Sequence, residues 1–287
     1  MTDDLRAKAW KAALQERNRP LEEYARRRAD EIVREAPVDV KLSVYIPSRG
    51  RAGIETSSSL LTACETDYKI VVEPRERDAY LEIYGDRVLV MDENDMGIGY
   101  SRQFILEHAR SAGHLYHWQM DDNIVYLERR SATTKPERVV VGRAMAVLEK
   151  IVQEFPNVAG ANFQAKAYAF GQQHRSLRFN AITSCCMIYR DVGIDISVEA
   201  PGTEDTDYSL KMLFAGHCTI TLTRFAYEKV PYWQRTGGCH DSLYAGDGKF
   251  HHYATVWKDG KVWWYIDGKK TDITIEWWQK NKKERTK

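Results

Sequence analysis

Apolar positions in the first 36 residues recur at roughly helical spacing, at Leu5, Trp10, Leu14, Leu21, Tyr24 and Ile32. They stand among Ala, Arg, Lys and Glu, a pattern that predicts an N-terminal helix broken at Pro20 and closed by Ala36-Pro37. From Lys41 the pattern changes. Short apolar runs at 42–46, 68–72, 87–91, 115–120 and 181–189 read as strands. Stretches of helical composition or period at 76–84, 101–112 and 139–155 read as helices. Strands that alternate with helices predict βαβ units, a mainly parallel sheet, and a site at the carboxyl ends of its strands. After about residue 245 the chain turns β-rich, with runs at 253–257, 261–266 and 272–278 separated by the hairpin signals Asp259-Gly260 and Asp267-Gly268. The expected organisation is a helical extension over 1–38, an α/β domain over 39–245, and a Trp-rich antiparallel β meander with a basic tail over 246–287.

Composition narrows this little. A hydrophobic share of 43% and a charged share of 29% are ordinary for a globular protein. The net charge of +1 excludes a global basic signature, so any contact with nucleic acid has to come from local patches. No apolar run approaches the roughly 20 residues that span a bilayer, and the N-terminus is charged from Asp3 onward. The expectation is a cytoplasmic protein with no membrane partner. Five scattered cysteines without C-x-x-C spacing read as reduced core thiols.

Four segments carry candidate chemistry. Asp121-Asp122-Asn123 follows an apolar strand and presents hard oxygens at its end; a Mg²⁺ or Mn²⁺ bridging a nucleotide diphosphate needs one or two carboxylates of this kind. The same tripeptide is also ordinary turn chemistry. Thr203-Glu204-Asp205 opens a helix with Leu210, Leu213 and Phe214 expected on its buried side, and there either carboxylate can serve as a general base or merely complement the helix dipole. In Gly97-Ile-Gly99-Tyr-Ser101-Arg102 the glycines let backbone approach a ligand, and the helix start with Arg102 suits a diphosphate, as does the pair Arg49 and Arg51. The thirty-residue stretch 161–190 contains no acid and interleaves Lys166, Arg175 and Arg178 with aromatics, the combination that grips and stacks nucleic acid. His240, beside two glycines, is a further candidate metal ligand.

Taken together, these segments resemble a GT-A glycosyltransferase, a Rossmann-like α/β fold with a mixed, mainly parallel sheet flanked by helices. Ile46-Pro-Ser-Arg-Gly-Arg51, Gly99-Tyr-Ser-Arg102 and Asp121-Asp-Asn-Ile124 look most like the phage TET-associated glycosyltransferases, relatives of the base J glucosyltransferases. The likeness spans about residues 42–240. It implies a nucleotide-sugar donor, UDP-glucose by default, bound by Ser48, Arg49, Arg51, Gly99, Arg102 and Asp121. It implies Mn²⁺ or Mg²⁺ at Asp121, Asp122, Asn123 and His240, with Asn123 replacing the usual last acid of the D-x-D motif. It also implies Asp205, or failing that Glu204, as the base of an inverting transfer. The acceptor implied is 5-hydroxymethylcytosine or a related hydroxymethylpyrimidine in DNA, held partly by Lys166, Arg175 and Arg178. Two other readings stay open: an enzyme of the same class acting on a polysaccharide or protein hydroxyl, and a non-catalytic sugar- or nucleic-acid-binding protein.

Overall fold

The computed structural model describes residues 3–35, 42–54, 56–130, 134–169, 175–198, 204–230, 253–258, 261–266 and 269–275. They belong to two compact units, Met1–Tyr232 and Trp233–Lys287.

The first unit opens with a long helix, α1 (Asp3–Glu35), which runs through Pro20 without the expected break. A proline deprives its turn of one donor, and Asn18, Arg19 and Pro20 stand exposed on the helix surface. The buried face matches the expected apolar positions only in part. Leu21 and Tyr24 are exposed, while Ala25, Ala29, Ile32 and Val33 enter the main core. Small alanines let the helix backbone approach closely. Ion pairs of Asp30 with Arg224 and of Glu35 with Lys150 then fix its orientation.

The alternating region folds as β1 (Val44–Pro47), α2 (Ser57–Thr62), β2 (Tyr68–Val72), α3 (Arg77–Tyr84), β3 (Val88–Val90), α4 (Gly97–Ser111) and β4 (Tyr116–Met120). It continues with β5 (Ile124–Arg129), β6 (Glu137–Val139), α5 (Val141–Glu154), β7 (Val158–Ala165), β8 (Leu177–Phe179), β9 (Cys186–Arg190), α6 (Glu204–Phe214) and β10 (Cys218–Lys229). The ten strands form one sheet in the order β3-β2-β1-β4-β9-β7-β10-β5-β6, with β8 alongside β10. Strands β1 to β4 are mutually parallel, β9 runs antiparallel between β4 and β7, and β10 is parallel to β7. This is the expected mixed, mainly parallel sheet. Strands buried on both faces read as continuous apolar runs, and so Tyr68-Lys-Ile-Val-Val72 was legible; β5, β7 and β10, whose apolar residues are interrupted by Asn162, Gln164, Glu128, Thr219, Thr221 and Thr223, were not read as strands, nor were the three-residue β6 and β8.

Helices cover both faces. On one side α1 and α5 bury Ala29, Ile32, Met145 and Leu148 against Trp118, Phe163 and Leu222. On the other, α4 and α6 bury Ile105, Leu106, Tyr208 and Met212 against Tyr45, Val71, Met187 and Tyr189. The inward face of α6 is Glu204, Tyr208 and Met212, at i, i+4 and i+8. The expected face was wrong here: Leu210 is 47% and Phe214 88% exposed. The helix rolls so that its first acid, rather than its last phenylalanine, turns inward. No helix among the described residues is long and apolar enough to cross a membrane.

In the second unit β11 (Tyr253–Lys258), β12 (Lys261–Ile266) and β13 (Lys269–Ile275) form a three-stranded antiparallel sheet.

Beneath α4, the His117 ring is fully buried between the rings of Tyr45 and Tyr189. Burial pushes its pKa down to about 3. The imidazole is therefore neutral in the fold and takes up a proton only when the chain opens. The stability it confers is present above about pH 6.5 and is lost as pH falls from there toward 3, at up to about 1.4 kcal/mol per pH unit. Replacing His117 by Phe should flatten the pH dependence of the urea midpoint between about pH 6.5 and 4.5. An unchanged slope would place the acid sensitivity elsewhere.

Candidate functional site

A cleft of about 420 Å³ opens at the carboxyl edge of the sheet, within the usual range for small-ligand sites. Ser48, Arg49 and Arg51 reach it from the loop after β1, Glu73 from the end of β2, Met91 from the end of β3, and Gly97, Ile98, Ser101 and Arg102, but not Gly99, from the start of α4. Asp121, Asp122 and Asn123 enter after β4, Cys185 before β9, Glu204 and Asp205 from α6, and Lys229 from the end of β10.

The Asp121-Asp122-Asn123 loop is fixed from outside. The Ser57 hydroxyl donates to the Asp121 carbonyl at 2.5 Å and accepts from the Ile124 amide at 2.9 Å. Thr56 donates to the Asp122 carbonyl. Asn123 and Val230 bond reciprocally, side-chain amide to carbonyl at 2.7 Å and amide to carbonyl at 3.0 Å. Asp122 turns toward the loop after β1, where Ser48 donates to one carboxylate oxygen at 2.7 Å and Arg51 to the other. Tyr80 completes this floor, its hydroxyl 2.8 Å from that of Ser48 and accepting from the Arg51 amide at 3.0 Å. Burial pushes the Asp122 carboxyl up, against the pull of Ser48 and Arg51.

Arg102 is the buried centre. Its side chain is 5% exposed, and it donates to Asp121 at 3.1 Å and to Glu204 at 3.2 Å. Burial pulls its pKa down, but Asp121 and Glu204 outweigh that and hold the guanidinium above its ordinary value. Arg102 thus joins the two acidic motifs, 83 positions apart between Asp121 and Glu204, into one constellation. Asp205, one residue on, is only partly buried, and its carboxylate accepts from the Thr206 amide at 2.7 Å.

The glycines act differently from expectation. Helix α4 starts at Gly97, so Ser101 and Arg102 lie inside the helix rather than at its mouth. A Cβ on Gly99 would sit 2.8 Å from the Ser197 carbonyl and 3.6 Å from the Cβ of Glu204. The missing side chain serves helix packing, and through it the seating of Glu204. Arg49 is engaged by Asp95 at 2.5 Å and faces Glu73 at 3.5 Å.

Of the residues expected at an acceptor surface, none lines this cleft. Lys166 pairs with Glu228 at 2.9 Å and donates to the Tyr126 hydroxyl; Arg178 donates to Gln164 at 3.1 Å; Arg175 is exposed. His240 and Thr203 lie outside the described residues. Lys229, which the sequence offers only as one cation of a basic-aromatic stretch over 224–235, enters the cleft instead: its ammonium lies 3.7 Å from Asp121 and donates to the Cys185 thiol at 3.1 Å. Nothing in the linear pattern sets it apart from the other cations of that stretch or points it at the acidic motifs.

Among the described residues no group of three His, Cys, Asp or Glu is placed to hold a metal by itself. The donor set nevertheless fits a hard cation that takes its remaining ligands from phosphate and water. Asn123 Oδ1 and Glu204 Oε2 are buried oxygens without a hydrogen-bond partner, and Asp121 lines the same cleft.

Compared with models of known protein families, residues 42–238 match TAGT, described as TET-Associated Glycosyltransferase. No curated protein matches the chain.

The Arg102–Glu204 pair makes a direct prediction. Arg102→Met leaves a buried carboxylate uncompensated and should cost about 3–5 kcal/mol of unfolding free energy. Adding Glu204→Gln should restore part of that loss. Equal losses in the single and double variants would show that the two side chains are not coupled.

Proposed function

The chain belongs to the TET-associated glycosyltransferase family, and on that premise we propose that it moves a sugar, by default glucose from UDP-glucose, onto a hydroxymethylpyrimidine such as 5-hydroxymethylcytosine in DNA, on a GT-A scaffold. What supports the reading is one observation above the rest: Asp121-Asp122-Asn123 and Glu204-Asp205 line a single cleft at the carboxyl edge of a mainly parallel sheet.

In this reading Asp121, with the unpartnered oxygens of Asn123 and Glu204, holds a Mn²⁺ or Mg²⁺, which when bound supplies positive charge to the donor's diphosphate. Asp122 keeps the loop after β1 in place through Ser48 and Arg51. Arg102 orients Asp121 and Glu204 together. Glu204 is committed to that ion pair and nearly fully buried, which favours its partly exposed neighbour Asp205 as the base. Asp205 accepts the proton of the acceptor hydroxyl. The hydroxyl oxygen bonds to the anomeric carbon as the bond from that carbon to the diphosphate breaks, and the electron pair leaves with the nucleoside diphosphate. Attack opposite the leaving group inverts the anomeric centre. For the DNA backbone, the exposed Arg175 and Arg178 are the candidate phosphate contacts, with Lys166 able to join if it exchanges Glu228 for a phosphate.

Hydroxymethylated DNA incubated with UDP-glucose and Mn²⁺ should gain one hexose per modified base by mass spectrometry. Transfer to a polysaccharide or protein with none to this DNA would overturn the acceptor. Asp205→Asn should lower turnover about 10²–10⁴-fold with donor binding little changed. Near wild-type turnover in Asp205→Asn and collapse in Glu204→Gln would exchange the two roles. Asp121→Ala, or excess chelator, should abolish transfer; full activity under either would remove the metal from the reading. Replacing Arg175 and Arg178 with Ala should flatten the log–log salt dependence of DNA binding by about one unit for each phosphate no longer neutralised. An unchanged slope would move the DNA surface elsewhere.

A further inference from the structure

Four cations line the cleft, and three of them already have a carboxylate within hydrogen-bonding reach: Arg49 on Asp95, Arg51 on Asp122, and Arg102 on both Asp121 and Glu204. Arg51 and Arg102 are also largely buried, with side chains 13% and 5% exposed. An incoming diphosphate gains little from the two buried guanidiniums, whose charge is offset by fixed anions; Arg49, 54% exposed, shares its charge between Asp95 and Glu73. Lys229 is different. Its ammonium stands 3.7 Å from Asp121, beyond hydrogen-bond range, and its side chain is 42% exposed. The group it does donate to, at 3.1 Å, is the Cys185 thiol, a weak acceptor.

The backbone around Lys229 is nonetheless fixed. Strand β10 pairs with β5 up to this residue and with β7 as far as Tyr227, and Val230 is bonded in both directions to Asn123. A long flexible stem on an anchored backbone lets the ammonium turn through the cleft without moving the sheet. A lysine ammonium is charged at neutral pH.

We propose that Lys229 is the diphosphate-binding cation of the cleft, which turns from Asp121 and Cys185 to the phosphates when the nucleotide enters. Arg102 and Arg51 instead shape the acidic motifs. The inference rests on the nucleotide-sugar reading above and assigns its phosphate contact. It also explains why a lysine stands at the end of β10: as Lys229 leaves, Asp121 Oδ2 loses the ammonium that faces it and becomes open to a ligand of its own.

The test is calorimetric titration of the full chain, in buffer containing Mn²⁺, with uridine diphosphate, alongside NMR titration with uridine. The variants are Lys229→Met, Lys229→Arg, and Lys150→Met as a control that removes one charge paired with Glu35 outside the cleft. Lys229→Met should weaken uridine diphosphate about 10- to 100-fold and leave uridine unchanged. Lys229→Arg should recover most of the loss, and Lys150→Met should match wild type. Equal diphosphate affinity in Lys229→Met and wild type would overturn the proposal while leaving the nucleotide-sugar reading intact. A parallel loss of uridine and uridine diphosphate would also overturn it, making Lys229 a prop for the cleft's shape. Failure of wild type to bind either ligand would remove the nucleotide-sugar reading and this assignment with it.

Discussion

Everything at the carboxyl edge of the sheet hangs on one buried guanidinium. Arg102 comes from the second turn of α4, lies between the sheet and α6, and holds one acid from each of two distant segments. A charge this deep is tolerable only when paired and hydrogen-bonded, so Asp121 and Glu204 are as necessary to Arg102 as it is to them. That mutual requirement fixes how α6 must roll. With Glu204 turned inward, Tyr208 and Met212 follow at helical period and fill the space over β7 and β9, where Tyr208 meets the Tyr189 ring edge-on with centroids 5.0 Å apart. The exposed Phe214 is the price of that orientation. Gly99 belongs to the same constraint, because only a residue without Cβ lets α4 come near enough to the Ser197 carbonyl for Arg102 to reach Glu204.

The sheet order supplies the remaining geometry. With β1, β2, β3, β4, β7 and β10 all pointing one way, the loops that follow them open at one edge, while β9 runs back between β4 and β7 and delivers Cys185 to the same place. The loop after β1 is drawn in by Asp122, and the loop before α4 is tied down by Asp95, which adopts φ 61° while accepting both nitrogens of Arg75 at 2.7 and 2.8 Å. A left-handed conformation is uncommon outside glycine; here the ion pairs of Asp95 with Arg75 and Arg49 hold it.

The alternation of strands and helices in the first half of the sheet was legible because β1 to β4 leave short apolar runs, whereas β7 and β10, equally buried and parallel, carry Asn162, Gln164, Thr219, Thr221 and Thr223 inside them and were not read as strands. Asp121-Asp122-Asn123 stood out as acids that terminate an apolar strand, and Glu204-Asp205 as acids that open a helix after Thr203. What the linear pattern lacked was direction. Leu210 and Phe214 look like the buried side of α6, since hydrophobicity outranks charge in any one-dimensional reading, and only the partner Arg102 reveals that the helix turns on Glu204. Leu21 and Tyr24 misled in the same way, as the core selected the small side chains of Ala25 and Ala29. Gly99 was noticed, but its neighbour in space, Ser197, lies 98 positions away. Lys166 carried the charge expected of an acceptor surface and is paired internally with Glu228, a neighbour brought to it only by the pairing of β7 with β10.

The bracing of the Asp121-Asp122-Asn123 loop by Ser57, Thr56 and Val230 concerns time as well as shape. Ordering a backbone residue costs about 1–2 kcal/mol of conformational entropy, and for this loop that cost is met when the chain folds. A ligand arriving at the cleft finds the oxygens already set. Its affinity then carries no cost for ordering this loop, and its capture need not wait for these three residues to settle. The slow, concerted events of a catalytic cycle would therefore fall to other parts of the chain.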